Sequence, residues 1–254
     1  MRLILPENPC VDFSGAGTDF VYGITHIGGR KHNEDGLLIM KLPDGYLLAV
    51  ADGLGGHNAG EVASRLALET LAEGFGEEYV EGLEEDLLAI LLRKAHEIAH
   101  SVVRERAKGP LEGMGTTLVS AVVRGRTVIV ANTGDSRAYL VSRGRLVART
   151  LDHSPLQELV LMGQVSEEEA MYHPLRNRVS SAIGRRLMVD LYRWEVGANH
   201  ILLLSTDGLH DYVPKEEILR ALTPGKTARD LAKTLVERAL PATEDNVTVV
   251  VWRW

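Results

Sequence analysis

Apolar residues recur along this chain with two distinct periods, and their alternation with polar breaks lays out most of its elements. Tyr46 to Val50 is a short apolar run; Ala51-Asp52-Gly53-Leu54-Gly55-Gly56 then breaks it, and a helical pattern starts near Asn58 with Val62, Leu66 and Leu71 on one face. A second helix is expected from about Glu84 to Arg106, because Leu87, Leu88, Leu91, Leu92, Ala95, Ile98 and Val102 return at three- and four-residue steps. Four strand-like segments follow, Thr117 to Val123, Thr127 to Ala131, Ala138 to Ser142 and Arg145 to Thr150, separated by turns containing Gly125, Gly134 and Gly144. Together they predict an antiparallel meander. The stretch 152–182 carries Ser154-Pro155, which suits a helix start, and Ser166-Glu167-Glu168-Glu169, which has capping-box spacing, so it reads as a lid-like insert. Ile201 to Ser205 is a buried strand ending at Asp207-Gly208, helices are expected near Lys215 and Thr227, and Asn246 to Trp252 closes the chain as a strand.

Strands in runs, with helices before and after rather than in regular alternation, argue for an α+β layered fold over a doubly wound sheet. Neither a Walker nor a dinucleotide glycine fingerprint is present. With 254 residues, 45% of them hydrophobic and 25% charged, the chain suits one compact domain spanning 1–254, with 1–20 as an N-terminal extension or edge strand.

Charge narrows the partners. The 28 basic residues against 35 acidic ones give a formal net charge of −7, which opposes a general grip on nucleic-acid phosphates. The longest apolar runs fall far short of the roughly 20 residues that a membrane-spanning helix needs. Met1 to Cys10 is interrupted by Pro6 and Pro9 and lacks the succession of a secretion signal, and the lone cysteine, Cys10, cannot form an internal disulfide. A cytoplasmic protein with no membrane and no nucleic-acid partner is expected.

Part of the acidic surplus stands at strand ends beside glycines. Asp52 and Asp207 each close an apolar strand and precede Gly-Leu, Asp245 opens the last strand, and Asn33-Glu34-Asp35 stands just before another. Any one of these is compatible with a simple turn. Taken together they predict carboxylates converging in one cleft, where their repulsion would be relieved by divalent cations. Oxygen donors without a histidine or cysteine set favour Mg²⁺ or Mn²⁺ over zinc, and two such ions lower the pKa of a water between them. The residues alone reach a candidate dinuclear metallohydrolase.

The ordered motifs go further. Arg30-Lys31-His32-Asn33-Glu34-Asp35, Val50-Ala51-Asp52-Gly53-Leu54-Gly55-Gly56-His57, Gly115-Thr116-Thr117, Asn132-Thr133-Gly134-Asp135-Ser136-Arg137, Asp152-His153-Ser154, Ser205-Thr206-Asp207-Gly208-Leu209 and Asp245-Asn246-Val247-Thr248 run from about Tyr22 to Val251. This series resembles the metal-dependent protein phosphatases of the protein phosphatase 2C type in their compact bacterial form. The resemblance implies a four-layer αββα sandwich of two antiparallel β-sheets flanked by helices. It also implies hydrolysis of phosphoserine and phosphothreonine by water activated at a centre of two Mn²⁺ or Mg²⁺ ions. By the same resemblance Asp52 would bridge both ions, Asp207 and Asp245 would complete the first site, the Gly53 carbonyl would bind the second, and Glu34 would act through water. Asp35 would support the site, Asp135 would hold a third, weaker ion shared with Asp207, and Arg30 would bind the substrate phosphate.

Animal members place a histidine directly after Asp-Gly, whereas this chain has Leu54 there and its nearest histidine is His57. His57 is a candidate to protonate the leaving oxygen, a loop-orienting role and a water donor being the alternatives. His153 reads as a residue that fixes its loop. The segment 152–182 corresponds to the family's flap. Phosphorylated proteins are the expected substrates, a serine/threonine kinase in the same cell the expected counterpart, and a monomer the expected state. A catalytically silent regulatory member and a phosphatase of small phosphate esters are the rivals.

Overall fold

The structure, a computed structural model, describes residues 2–7, 13–55 and 59–254. His57 and Cys10 lie outside the described residues. In chain order the first half forms β1 (Arg2–Leu5), β2 (Phe13–Gly17), β3 (Val21–His26), β4 (Asp35–Leu42), β5 (Gly45–Leu54), α1 (Ala59–Glu78), α2 (Glu85–Arg106), β6 (Gly115–Thr116) and β7 (Leu118–Arg124). The second half continues with β8 (Thr127–Thr133), β9 (Arg137–Ser142), β10 (Arg145–Arg149), α3 (Pro155–Leu161), α4 (Glu167–Ala170) and β11 (Asp190–Glu195). It ends with β12 (His200–Ser205), α5 (Asp207–His210), α6 (Lys215–Ala221), α7 (Ala228–Ala239) and β13 (Val247–Arg253).

The strands pair into two antiparallel sheets. One has the order β1-β4-β5-β7-β8-β11, with β6 added to the end of β5; the other has the order β10-β9-β12-β13-β3-β2. The chain's first twenty residues therefore supply an edge to each sheet. Strand alternation assigns each side chain to a layer. On β5, Leu47, Ala49 and Ala51 face α1 and α2, while Leu48 and Val50 face the other sheet. On β13, Val247, Val249 and Val251 pack under α5, α6 and α7, and Val250 and Trp252 turn inward. Three apolar layers result, one between the sheets and one under each set of helices, as an αββα sandwich requires. Each fully buried Leu, Ile or Val in them contributes about 1.5–3 kcal/mol.

Local signals set the helix ends. Ser154 caps α3 by accepting from the Gln157 N–H, with Pro155 at its first position. Ser166 and Glu169 form the expected capping box on α4, and Thr227 caps α7 through the Asp230 N–H. Acidic residues open α2 and Arg104 and Arg106 close it, matching its dipole. Leu87, expected in the core, stays 49% exposed because it lies off the stripe of α2 that meets the sheet.

Three expectations change. The predicted meander is split: β7 and β8 pair in the first sheet, β9 and β10 in the second, and the chain crosses between sheets at Gly134-Asp135. Periodicity marks strands but not their partners. The glycines after Ala51 do not end β5, which continues to Leu54 by exchanging its partner β7 for β6. Asp207 is not a strand residue but the first residue of α5, entered through Thr206.

Candidate metal centre

The acidic residues named from the sequence come together from both sheets at one end of the sandwich. Asp35 opens β4 and lies directly opposite Asp52 on β5. Asp207 heads α5 after β12, Asp245 precedes β13, and Asp135 stands at the crossover from β8 to β9.

Backbone and hydroxyl contacts hold this floor in place. Asp52 donates its N–H to Thr117 Oγ1 at 2.9 Å, and its carbonyl accepts from Thr116 Oγ1 at 2.8 Å and Thr117 N at 2.9 Å. Thr206 Oγ1 donates to Asp35 Oδ2 at 2.8 Å and accepts from Thr248 N at 3.0 Å. Asn33 Nδ2 donates to Thr25 Oγ1, itself 2.7 Å from Thr248 Oγ1. Asn246 ties the loop before β13 to the loop between β3 and β4: its Oδ1 accepts from Glu34 N at 2.8 Å, and its Nδ2 donates to the carbonyls of Ile27 and His32. These buried bonds clamp the ends of the two sheets together.

The carboxyls perturb one another. Burial, then the Asp245 charge, pushes Asp35 up to about 7, against hydrogen bonds from Thr206 and Thr248. Burial, then Asp207, Asp35, Asp245 and Asp135, holds Asp52 well above the carboxylate range; burial, then Asp135, Asp211 and Asp245, does the same to Asp207. Asp135 is pushed up to about 8 by burial and by Asp152 and Asp211. Glu34, half-buried, is raised by burial and by Glu61, with Arg30 acting against them. Its carboxylate lies on the start of α1 at Gly60, where an added Cβ would come within 2.7 Å of Glu34 Cδ.

Arg30, in the loop after β3, donates from Nη2 to Asp245 Oδ2 at 2.7 Å and remains 53% exposed. Burial acts to lower its pKa, but Asp245, Asp207 and Asp52 outweigh burial and raise it. Among the described residues no three acidic or imidazole groups already meet as the ligands of one ion. The donor chemistry nevertheless fits hard divalent cations: the donors are all oxygen, enclosed, and resist ionising together, which is the cost a bound cation removes.

Histidines take other duties. His153 Nδ1 accepts from Gly134 N at 3.2 Å, and its Nε2 lies 3.2 Å from Asp190 Oδ2 without the alignment of a hydrogen bond, so it fixes the crossover loop. His96 is buried between Thr133 and Ser120 and pushed down to about 3, and burial with Arg137 and Arg149 lowers His210 well below its ordinary value.

The family profile described as Protein phosphatase 2C matches residues 22–243. The chain belongs to this family. It is 35% identical over 227 residues to the serine/threonine phosphatase stp of Listeria monocytogenes, covering 87% of this chain and 90% of that one. The crystal structure of serine/threonine phosphatase Stp1 from Staphylococcus aureus superposes with a TM-score of 0.86 at 36% identity, over 94% of this chain and 96% of that one. The catalytic domain of the serine/threonine protein phosphatase PstP, solved in complex with two manganese ions, superposes with a TM-score of 0.75 at 34% identity, over 94% and 96% of the two chains.

Within this protein phosphatase 2C chain, Glu34, Asp35, Asp52, Gly53, Asp135, Asp207, Asp245 and Arg30 all line or support the same end of the sandwich. Asp211 was missed. It follows Asp207 by one helical turn, its carboxyl is pushed up to about 6 chiefly by burial, and it faces the same enclosure. The four-residue spacing after Asp207 was the available signal.

Proposed function

We propose that the chain is a metal-dependent serine/threonine protein phosphatase, hydrolysing phosphoserine and phosphothreonine with water at a centre of two Mn²⁺ or Mg²⁺ ions. One observation carries this reading: Asp35, Asp52 and Asp207 are brought from both sheets into one buried enclosure, where burial first and neighbouring carboxylates second raise the pKa of each. Asp52, Asp207 and Asp245 would hold the ions, with the Gly53 carbonyl and Glu34 at the second and Asp135 at a weaker third. When bound, such ions supply Lewis acidity and acidify water.

The chain's own groups do the rest. Arg30, half exposed above Asp245, presents a planar fork that suits two phosphate oxygens. Asp35, held by Thr206, acts as a positioning carboxylate beneath Asp52. His96 and His210 stay neutral and buried, so His57 stands as the candidate donor to the leaving serine or threonine oxygen, on the sequence argument alone. We read 1–254 as one catalytic unit with 152–182 as a flap beside the cleft. Among the described residues no helix is long and apolar enough to cross a membrane. A cytoplasmic monomer that opposes a serine/threonine kinase completes the reading, supported by the lone Cys10 and the similarity to bacterial phosphatases.

The test is Mn²⁺-dependent release of phosphate from a phosphothreonine peptide. Chelator and Asp207→Asn should each abolish it. Full activity in chelator, or in Asp207→Asn, would refute the assignment.

A further inference from the structure

The loop that carries Arg30 is held at both of its ends by one side chain. β3 and β13 pair with Val247 opposite His26, so the residues just beyond that pair, Ile27 and Asn246, stand side by side at the end of the sheet. Asn246 is buried, and its amide is given over to this loop. Nδ2 donates to Ile27 O at 2.8 Å and to His32 O at 3.0 Å, while Oδ1 accepts from Glu34 N at 2.8 Å. Arg30 lies between these tethers and closes a turn by donating its N–H to Ile27 O at 3.2 Å.

The same loop rests on the backbone that leads into Asn246. Gly29 N donates to Asp245 O at 3.3 Å, and at Gly28, whose φ is +57°, an added Cβ would lie 1.8 Å from that oxygen. The acidic neighbours, by contrast, have anchors of their own. Asp245 Oδ1 accepts from Asn246 N at 2.8 Å, a backbone bond that does not need the asparagine side chain. The Glu34 carbonyl accepts from Gly53 N at 3.1 Å and Ser64 Oγ at 2.6 Å, and its carboxylate takes a hydrogen bond from the Gly60 backbone. What the Asn246 amide adds is therefore the placing of residues 27–32, among which Arg30 is the one that reaches Asp245 and feels the charges of Asp207 and Asp52.

We propose that Asn246 is the positioning residue of the phosphate subsite: by holding both ends of the Arg30 loop, it keeps the guanidinium where its fork meets the substrate phosphate. The inference rests on the protein-phosphatase reading and adds to it a residue that touches neither ion nor substrate. The chemistry of the position calls for a short neutral amide, which donates twice and accepts once. An aspartate would turn a carboxylate oxygen onto two carbonyls, and a serine has a single donor.

The experiment is a double-mutant cycle. Asn246→Ala, and Asn246→Ser as the variant that leaves fewer buried groups unpaired, are each made in the wild type and in Arg30→Ala. Kinetics on p-nitrophenyl phosphate with Mn²⁺ are joined by calorimetric titrations of inorganic phosphate into Mn²⁺-loaded protein and of Mn²⁺ into metal-free protein. In the wild-type background each substitution should raise KM and weaken phosphate binding by about fivefold, because the arginine is displaced rather than removed, with Mn²⁺ affinity held within about twofold. In the Arg30→Ala background the same substitutions should change KM and phosphate affinity by less than about twofold, since two residues acting through one contact do not add. Equal factors in both backgrounds, a fall in kcat with KM unchanged, or a loss of Mn²⁺ affinity that matches the loss of phosphate affinity would overturn the proposal. Unfolding of both variants, read by circular dichroism, would overturn it too, since Asn246 would then serve the fold. A wild type without Mn²⁺-dependent turnover would instead overturn the phosphatase reading, and this inference with it.

Discussion

Gly208→Ala tests whether the approach of α5 to β13 sets the spacing of the carboxylates. Gly208 is the second residue of α5, directly after Asp207. A Cβ there would sit 1.8 Å from the carbonyl oxygen of Asn246 and 2.8 Å from its carbonyl carbon. Both contacts are with backbone, so no side-chain rotation relieves them. Ordinary contact begins near 3.4 Å, so the two segments must part by about 1.6 Å in a close-packed interior. Those segments carry Asp207 and Asp245. Because a misplacement of about 1 Å costs on the order of 100-fold when reacting groups must be held in register, kcat/KM should fall by at least that factor. The strain should cost about 1–3 kcal/mol of stability, leaving a folded protein with a melting temperature lower by several degrees. The assay is Mn²⁺-dependent hydrolysis of a phosphothreonine peptide and of p-nitrophenyl phosphate, with circular dichroism to establish folding and calorimetry for Mn²⁺ affinity. Gly74→Ala, in α1, is the control: among the described residues its Cβ would meet Ile98 Cδ1 of α2 at 3.7 Å, an ordinary contact, and activity should not change. A Gly208→Ala variant within twofold of wild type in kcat/KM would refute the reasoning.

Arg30→Ala should raise KM for phosphopeptides by roughly tenfold or more, the worth of a charge-assisted hydrogen bond, without weakening Mn²⁺ binding in calorimetry, since it frees Asp245 Oδ2. Arg137→Ala should lower unfolding free energy by about 3–5 kcal/mol in urea titrations, because it leaves Asp152 buried without its two-bonded partner. Arg137→Lys should recover only part of this, having no fork. His96 carries a pKa of about 3 in the fold, so it is neutral there while the unfolded chain takes up a proton below its ordinary value of 6.5. Stability should therefore fall as pH drops from 6.5 toward 3, by at most about 1.4 kcal/mol per pH unit from this group. His96→Gln should flatten that slope in urea titrations at pH 7.5 and 5.

Legibility followed the range of each interaction. Asp52 and Asp207 stood out because each follows an apolar run and precedes a glycine, Asp245 because it opens the last apolar run, and the ordered motifs around them are local in sequence. The capping box at Ser166 and Glu169 was equally plain, since both partners lie within four residues. What escaped depends on contacts between distant segments. β11 was missed because Leu191, Tyr192 and Trp194 form too short and mixed a pattern to mark a strand until β8 pairs with them. The meander was misassembled because nothing between Thr133 and Arg137 tells which sheet β9 will join. Thr206 gives no sign in the sequence that its hydroxyl belongs to Asp35, a residue 171 positions earlier.

The crossover at Gly134-Asp135 has a consequence for how the enzyme can vary. Asp35 and Asp52 ride on one sheet, Asp207 and Asp245 on elements of the other, and Asp135 on the chain that links them. The inner layer, with Val50, Val130 and Leu204 facing across it, sets the distance between these two sets of carboxylates. Its thickness is therefore a gauge for the chemistry. The outer layers under α1, α2 and α7 can be repacked at a cost in stability alone, whereas one extra methylene in the inner layer changes the gap across which the two sets of carboxylates face each other.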